Sequence, residues 1–261
     1  MSDSFRHRMR EGRIQIGLFM SLNSLAATEA VALSGYDYAV FDAEHSPMAL
    51  PVLHGMLSAL ACGGTEAVVR TASHDVAAIK HYLDLGVKTL MFPNVNNAEQ
   101  AAHLVRATRY PPEGFRGVAG TIRASRYGRD KSYLQTANAG ITVWAQIESR
   151  EGLAHVDEIA ATPGVDGIYF GPNDMSADFG TPGQPGSAAN VARITDAVRR
   201  VRAAGKAAGI LCGEAEFDHY ADAGVSIFAF ASDAALLVRS ADALAAKYAA
   251  QRGTRRAGAP T

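Results

Sequence analysis

The sequence contains little that would mark a secreted, membrane or nucleic-acid-binding protein. Only two cysteines are present, Cys62 and Cys212, and their separation matches no metal-binding motif. No apolar run is long enough to span a bilayer, and the first residues lack the apolar core of a secretory signal. A formal net charge of −1 gives no attraction to nucleic acid or to an anionic membrane. We therefore expect a reduced, cytoplasmic protein that binds neither nucleic acid nor a membrane.

The chain instead alternates regularly between short apolar runs and amphipathic segments. Each of eight predicted strands is followed by a predicted helix, and the strands span residues 14–20, 36–42, 67–70, 87–92, 141–148, 165–170, 206–211 and 225–230. Eight such pairs in about 250 residues predict an α/β fold of the (β/α)8 type, a TIM barrel. No shift in composition marks a domain boundary, so we expect a single domain over residues 1–261, with an N-terminal arm at 1–12 and a disordered tail at 251–261.

A doubly wound parallel sheet is the alternative fold. Nucleotide-binding sheets of that kind carry a glycine-rich turn after the first strand, whereas Phe19-Met20-Ser21-Leu22 occupies this position here. The chain also lacks a P-loop. Both absences favour the barrel.

The segment from Trp144 to Asp174 predicts a metal site. Trp144, Gln146 and Glu148 alternate along one predicted strand, so their side chains share a face. Asp174 follows the next strand, and because neighbouring parallel strands lie about 5 Å apart, Glu148 and Asp174 can converge at the strand ends. Two carboxylates beside an amide suit a hard divalent cation. A helix cap is the alternative role for Asp174, and spacing alone does not decide between the two.

Further polar residues are predicted at the same rim, where TIM-barrel enzymes hold their working residues. They follow the second, third, sixth and seventh strands: Asp42, Glu44, His45, Arg70, Asn173, Cys212 and Glu214. Taken singly, His45 would be a satisfied hydrogen-bonding residue and Arg70 a salt-bridge partner for a residue such as Glu148. Their convergence on one rim favours a functional site, because grouped buried polar groups are costly unless they pair or hold a ligand.

Lysine is scarce and poorly placed for catalysis. Two of the five lysines precede strands, two lie in helices and one lies in a loop: Lys88, Lys206, Lys80, Lys247 and Lys131. None closes a strand, and Schiff-base chemistry requires a desolvated amine in the pocket. Any carbanion chemistry in this barrel would therefore use a metal ion as its electron sink.

Five separated segments, in order, resemble the HpcH/HpaI aldolases. They are FDAEHSP (41–47), VVR (68–70), ATRYPPEGFRGV (107–118), QIESREGL (146–153) and GVDGIYFGPNDMSADFG (164–180). The resemblance extends over most of the chain. It implies a class II, metal-dependent pyruvate aldolase of the 4-hydroxy-2-oxo-heptanedioate aldolase type, built as a TIM barrel. It also implies a homo-hexamer of three dimers whose last helix is exchanged between subunits.

By position, the resemblance implies which residues bind metal and substrate. Glu148 and Asp174 match the metal ligands, and an open, oxygen-rich site of this kind would accept Mg²⁺, Mn²⁺ or Co²⁺. Gln146 matches a substrate-binding glutamine. Asn173 stands where relatives often carry alanine, and its backbone would still meet the substrate.

The resemblance also implies the catalytic residues. Arg70 matches an arginine on the pyruvate carbonyl, His45 the catalytic base, and Asp84 an aspartate that supports this histidine. We further expect the aldehyde pocket to include residues that follow the first and seventh strands: Ser21, Asn23, Leu211 and Cys212.

The implied reaction is reversible aldol cleavage of a 4-hydroxy-2-oxo acid. The products would be an aldehyde and pyruvate, or a close analogue such as hydroxypyruvate, formed through a metal-stabilised enolate. A lyase acting on acyl-CoA thioesters, of the citrate lyase β or malyl-CoA type, is the alternative enzyme. It is disfavoured because residues 109–118 and 171–180 resemble the aldolases more closely. A non-catalytic barrel is a third alternative, disfavoured by the complete set of His45, Arg70 and the two metal-binding carboxylates.

Overall fold

Eight parallel strands close into a barrel in the computed structural model, which describes residues 4–252. The strands are β1 (Gln15–Met20), β2 (Tyr38–Asp42), β3 (Glu66–Arg70), β4 (Thr89–Phe92), β5 (Thr142–Ile147), β6 (Gly167–Phe170), β7 (Ala207–Leu211) and β8 (Ile227–Ser232). Each pairs with the next in chain order, and β8 pairs with β1. The predicted TIM barrel is confirmed. The doubly wound alternative is wrong, because an open sheet of that kind has two unpaired edges.

Helices precede and connect the strands. They are α1 (Phe5–Arg10), α2 (Leu25–Ala32), α3 (Leu50–Leu60), α4 (Val76–Asp84), α5 (Ala98–Ala107), α6 (Tyr133–Gly140), α7 (Arg150–Ala154), α8 (Val156–Ala161), α9 (Pro172–Asp178), α10 (Ala188–Ala203), α11 (Phe217–Ala223) and α12 (Asp233–Arg252). Short 3₁₀ turns lie at Arg123–Ser125 and Glu214–Glu216. Within residues 4–252, no helix combines the length and the apolar character needed to cross a membrane.

Two predictions about helices near the site need correction. The single helix expected after Glu148 is interrupted at His155, which separates α7 from α8. The helix that follows β6 begins at Pro172, with Gly171 and not Asp174 as its N-cap. Asp174 therefore lies inside the first turn, and its alternative role as a helix cap is wrong.

The N-terminal segment, expected to be an arm, forms a helix against the end of the barrel where the strands begin. Phe5 and Met9 lie one helical turn apart on α1 and are both buried. The indole Nε1 of Trp144, inside the barrel, lies 3.1 Å from the sulfur of Met9. Arg6 pairs with Asp166, just before β6, at 3.1 Å. The helix thus covers the apolar interior on the side opposite the strand ends.

The C-terminal prediction is partly corrected as well. Helix α12 continues through Arg252, so Gln251 and Arg252, expected in the disordered tail, are helical. The remaining residues of the expected tail, 253–261, lie outside the described residues, as do residues 1–3 of the expected arm.

The register of the sheet brings the predicted site residues to one end of the barrel. Asp42, the last residue of β2, pairs with Arg70, the last residue of β3. Gln146 on β5 pairs with Tyr169 on β6, and Glu148 is the first residue after β5. Because all eight parallel strands end at the same rim, these side chains are brought to a common region.

Candidate active site

Arg70 is held by two carboxylates, Asp42 at the end of β2 and Glu44 in the loop that follows. Its Nε and Nη2 donate to the two oxygens of Asp42 at 2.9 and 2.7 Å, and its Nη1 lies 3.2 Å from Glu44 Oε2. Burial disfavours the charged form of Arg70, but the bond to Asp42 and the charge of Glu44 outweigh this effect and raise its pKa. The sequence predicts Asp42 at the rim, but this pairing with Arg70 was not predicted. The signal for it was the position of both residues at the ends of adjacent strands.

The loop after β2 folds around Asp42 and presents His45. Asp42 Oδ1 accepts hydrogen bonds from the backbone N–H groups of Glu44 at 3.2 Å and of His45 at 3.3 Å. The imidazole of His45 is exposed, and its Nε2 lies 3.7 Å from Glu44 Oε2. His45 can therefore reach a ligand that enters from solvent.

Glu148 is the most strongly perturbed carboxylate of the rim. Only 6% of the surface of Glu148 is exposed to solvent. Its Oε1 accepts a hydrogen bond from the backbone N–H of Asn94 at 2.8 Å, and its Oε2 accepts one from the side-chain amide of Gln146. Burial raises the pKa of Glu148 to about 8, and the charges of Glu44 and Asp174 add to this shift. The pKa of Glu44 is also raised, mainly by burial, although Arg70 partly offsets it. The site therefore contains a carboxylate that is costly to ionise without a cation.

The surroundings of Glu148 fit a hard cation and an oxygen-rich ligand. Gln146 Oε1 is buried and has no hydrogen-bond partner among the described residues. A Cβ atom added at Gly171 would lie 2.5 Å from Glu148 Oε2 and 2.9 Å from Gln146 Nε2, so only glycine allows this close approach of the backbone. An unused amide oxygen and an adjacent carboxylate are oxygen donors of the kind that hard cations prefer.

Asp174 lies in the exposed first turn of α9, beside Asn173. Its negative charge acts on both Glu44 and Glu148. Within residues 4–252, no three or more histidine, cysteine or acidic side chains are grouped so that they alone could hold a metal ion. A cation here would thus need oxygens from substrate or water in addition to those of the protein.

A cavity of about 350 Å³ opens beside α9, between the loops that follow β6 and β7. Its walls include Asn173 and two of the four residues expected around the aldehyde, Leu211 and Cys212, whereas Ser21 and Asn23 do not line it. Burial raises the pKa of the Cys212 thiol to about 12, so this thiol is neutral in the cavity wall. Ser21 is engaged elsewhere, since its N–H and hydroxyl both donate to Asp233, at 2.8 and 3.1 Å.

The structure gives Asp84 and His45 separate partners. Asp84 ends α4, and its Oδ1 accepts a 2.7 Å hydrogen bond from Arg116, whose side chain is fully buried. His45 lies beside Glu44. The pairing of Asp84 with His45 stays a prediction, and the Arg116 partnership of Asp84 was not foreseen from sequence.

The lysines lie where they were predicted. Lys206 precedes β7 and donates to the carbonyl of Val165 at 2.7 Å, and Lys131 donates to Gly128 in the loop before α6. Besides burial, the pKa values of Glu44 and Glu148 are shifted by neighbouring carboxylates, Arg70, His45 and the backbone N–H of Asn94, and no lysine is among these groups.

Fold and site together define a TIM-barrel enzyme with buried acidic groups and an anchored arginine at its C-terminal rim. The sequence matches the HpcH/HpaI aldolase/citrate lyase family over residues 15–240, and the chain belongs to this family. Its members depend on a divalent metal ion. The protein is accordingly a carbon–carbon lyase of the class II aldolase type.

Named relatives extend over nearly the whole chain. A pyruvate aldolase from Rhizobium etli is 44% identical over 246 residues, which cover 94% of this chain and 97% of that protein. A hydroxypyruvate/pyruvate aldolase from Pseudomonas aeruginosa is 43% identical over 246 residues, covering 94% and 92%. A crystal structure of a family protein from Burkholderia cenocepacia J2315 superposes with a TM-score of 0.90 at 37% identity, covering 97% of this chain and 100% of that one.

The citrate lyase alternative has weaker support. A citrate lyase β subunit from M. tuberculosis, solved with oxaloacetate and magnesium, is 18% identical with a TM-score of 0.55, covering 90% of this chain and 98% of that one. At that distance the likeness concerns the fold alone. The aldolase prediction is confirmed at the level of the family.

We expect Glu148→Gln to remove a pH-dependent loss of stability from the metal-free protein. In the folded state the pKa of Glu148 is raised from 4.5 to about 8, so the folded protein retains a proton that the unfolded chain releases in this range. The stability due to that proton is complete below about pH 4.5 and is lost as the pH rises to about 8. The variant should therefore be more stable than wild type at about pH 8, and the difference should shrink towards about pH 5.

Urea unfolding of chelator-treated protein at both pH values measures this difference. Glu29→Gln, at an exposed position on α2, is the matched control. An identical pH dependence in wild type and Glu148→Gln would contradict the buried-carboxylate interpretation.

Proposed function

We propose that this protein cleaves 4-hydroxy-2-oxo acids reversibly into an aldehyde and pyruvate or hydroxypyruvate, with a divalent metal ion as cofactor. The observation that carries the proposal is the buried Glu148 carboxylate, which shares one rim with Glu44, Asp174 and Arg70. The names of two relatives, a pyruvate aldolase and a hydroxypyruvate/pyruvate aldolase, support the class of substrate.

Glu148 and Asp174 are the proposed metal ligands, and Mg²⁺, Mn²⁺ or Co²⁺ are the proposed ions. An open site with few protein ligands discriminates weakly among ions that accept carboxylate oxygens. Bound there, the ion would polarise the carbonyl of the keto acid and stabilise the negative charge that develops on its oxygen. The raised pKa of Glu148 supports this assignment, because a nearby cation would favour the ionised carboxylate.

Arg70 and Gln146 are proposed to bind the keto acid. A guanidinium has five N–H donors. The contacts of Arg70 with Asp42 and Glu44 leave others for the keto oxygen. Because Asp42 already fixes the plane of the guanidinium, these donors need no reorientation when charge develops. The unpartnered Oε1 of Gln146 can accept a hydrogen bond from a hydroxyl of the substrate or from a bound water, because the carboxylate and carbonyl of the keto acid are themselves acceptors. Asn173 and Asp174, in the exposed first turn of α9, are proposed to line the α9 side of the substrate site.

His45 is proposed as the base. During cleavage it would take the proton of the C4 hydroxyl while the C3–C4 bond breaks, and it would then return a proton to C3 of the departing keto acid. Its exposed imidazole can move between these two positions. Leu211 and the cavity behind it are proposed to receive the aldehyde, and such an apolar wall discriminates one methylene by only about 1–3 kcal/mol.

Asp84 is proposed to support His45. In the described chain each of the two residues has another partner, Arg116 for Asp84 and Glu44 for His45, so this support rests on the family resemblance. Helix α12 supports an assembly: it packs against β1 and β8, and several large apolar side chains along it are exposed, namely Leu237, Val238, Leu244 and Tyr248. We propose a homo-hexamer of three dimers that exchange α12, in the cytoplasm, where Cys62 and Cys212 would stay free thiols.

An activity panel tests the proposed reaction. Pyruvate and hydroxypyruvate, each offered with a series of aldehydes, should give 4-hydroxy-2-oxo acids. A chelator should abolish this activity, and Mg²⁺, Mn²⁺ or Co²⁺ should restore it. Borohydride with pyruvate should trap no adduct, because none of the eight described strands, β1 to β8, ends in a lysine. Chelator-resistant activity with a trapped lysine would contradict the metal assignment, and turnover of acyl-CoA thioesters alone would favour the alternative lyase.

Arg70→Lys tests the role of the arginine. Lysine keeps the charge but loses the planar fork that Asp42 holds. The variant should bind metal like wild type, yet lose aldol turnover and exchange of the pyruvate methyl protons by about 10²-fold or more. Proton exchange is measured by NMR in deuterated buffer. Wild-type exchange in the folded variant would show that Arg70 acts only as a structural residue.

A double-mutant cycle tests the proposed support of His45 by Asp84. His45→Ala should lower aldol turnover by about 10²–10⁴-fold, and Asp84→Asn should lower it less. The double variant should lose no more than His45→Ala alone, because Asp84 would act only through His45. Losses that add in the double variant would contradict the pairing. Sedimentation velocity gives the mass of the assembly, and a monomeric wild type would contradict the proposed hexamer.

A further inference from the structure

One peptide group links a histidine outside the proposed site to Glu148. The ring Nε2 of His74 lies 2.7 Å from the carbonyl oxygen of Pro93. The N–H of Asn94 donates to Glu148 Oε1 at 2.8 Å. That carbonyl and that N–H belong to the same trans peptide bond, so they point in opposite directions. The peptide is therefore held at both ends, by His74 on one side and by the carboxylate on the other.

The surrounding loop is fixed in register with β5. The N–H of Val95 donates to the carbonyl of Gln146 at 3.0 Å, directly below Glu148. Asn94 has a φ of 49°, in the left-handed region that asparagine tolerates better than most residues. The ring of His74 meets Phe92 edge-on, with centroids 6.4 Å apart. Ring packing and a hydrogen bond thus place His74 against the turn that follows β4.

Two neutral hydrogen-bond donors fix the orientation of the Glu148 carboxylate. Asn94 holds Oε1 and the Gln146 side chain holds Oε2, so neither oxygen can rotate freely. A peptide whose carbonyl accepts a hydrogen bond becomes a stronger donor at its N–H, because the two bonds polarise the same group. Groups that orient a metal ligand commonly affect metal affinity by about 10–100-fold.

We propose that His74 is a positioning residue for Glu148 and acts through the Pro93–Asn94 peptide. His74 touches neither the carboxylate nor the substrate space. Its role requires Nε2 to carry the hydrogen, so that the ring donates to Pro93. The expected effect of His74 on metal affinity rests on the proposed function. Its effect on the position of the Pro93–Asn94 peptide does not.

Two substitutions separate the hydrogen bond from the packing. His74→Phe keeps a ring against Phe92 and removes the donor. His74→Gln restores an N–H at about the same distance from the backbone as Nε2. His103→Phe is the matched control, because His103 is an exposed residue of α5 whose ring packs on Phe115, 5.1 Å away.

Amide hydrogen exchange of Asn94 in the metal-free protein is the first measurement, and Mn²⁺ affinity by calorimetry is the second. In His74→Phe we expect exchange at Asn94 to be faster by about 10-fold and Mn²⁺ binding to be weaker by about 10-fold. His74→Gln should recover most of both, and His103→Phe should match wild type. Unchanged exchange at Asn94 in His74→Phe would overturn the inference, and so would unchanged Mn²⁺ affinity. A wild-type protein that bound no Mn²⁺ would overturn the proposed function instead, since exchange is measured without metal.

Discussion

The rim of this barrel concentrates negative charge in a place where water is partly excluded. Asp42, Glu44, Glu148 and Asp174 lie close enough to influence one another, and Arg70 is the arginine placed among them. Its direct contacts go to Asp42 and Glu44. Burial, together with the charges of Glu44 and Asp174, raises the pKa of Glu148 to about 8. A divalent cation bound beside these carboxylates would offset their mutual repulsion. The other contacts of the site would hold the carboxylates in position for such an ion.

Neutral groups, rather than cations, orient the buried carboxylate. The Asn94 N–H and the Gln146 amide hold its two oxygens without neutralising its charge, and Gly171 brings the β6 backbone against it. A cationic partner would have competed with a metal ion for the same charge. Hydrogen bonds from neutral donors fix the geometry and leave most of the charge available to the ion.

The site also divides into a fixed side and an open side. Arg70 and Glu148 are buried and bonded on several atoms, whereas His45, Asn173 and Asp174 are exposed. A keto acid would meet the fixed side, where preorganised donors stabilise developing charge. An aldehyde would meet the open side and the cavity beyond it, where apolar contacts discriminate weakly between similar groups. One barrel would thus combine strict recognition of the keto acid with tolerance of different aldehydes.

Strand and helix periodicity alone predicted the barrel, because the alternation of apolar runs is a local property of the chain. The position of Glu148 at the end of its strand followed from the same pattern, although β5 ends one residue before it, at Ile147. Contacts between distant segments were decided only by the tertiary structure: the fork of Arg70 on Asp42, the bond from Asn94 to Glu148, and the partnership of Asp84 with Arg116. They depend on the stagger of strands around the closed barrel and on loop conformations such as the left-handed Asn94, and neither leaves a periodic signal in the sequence.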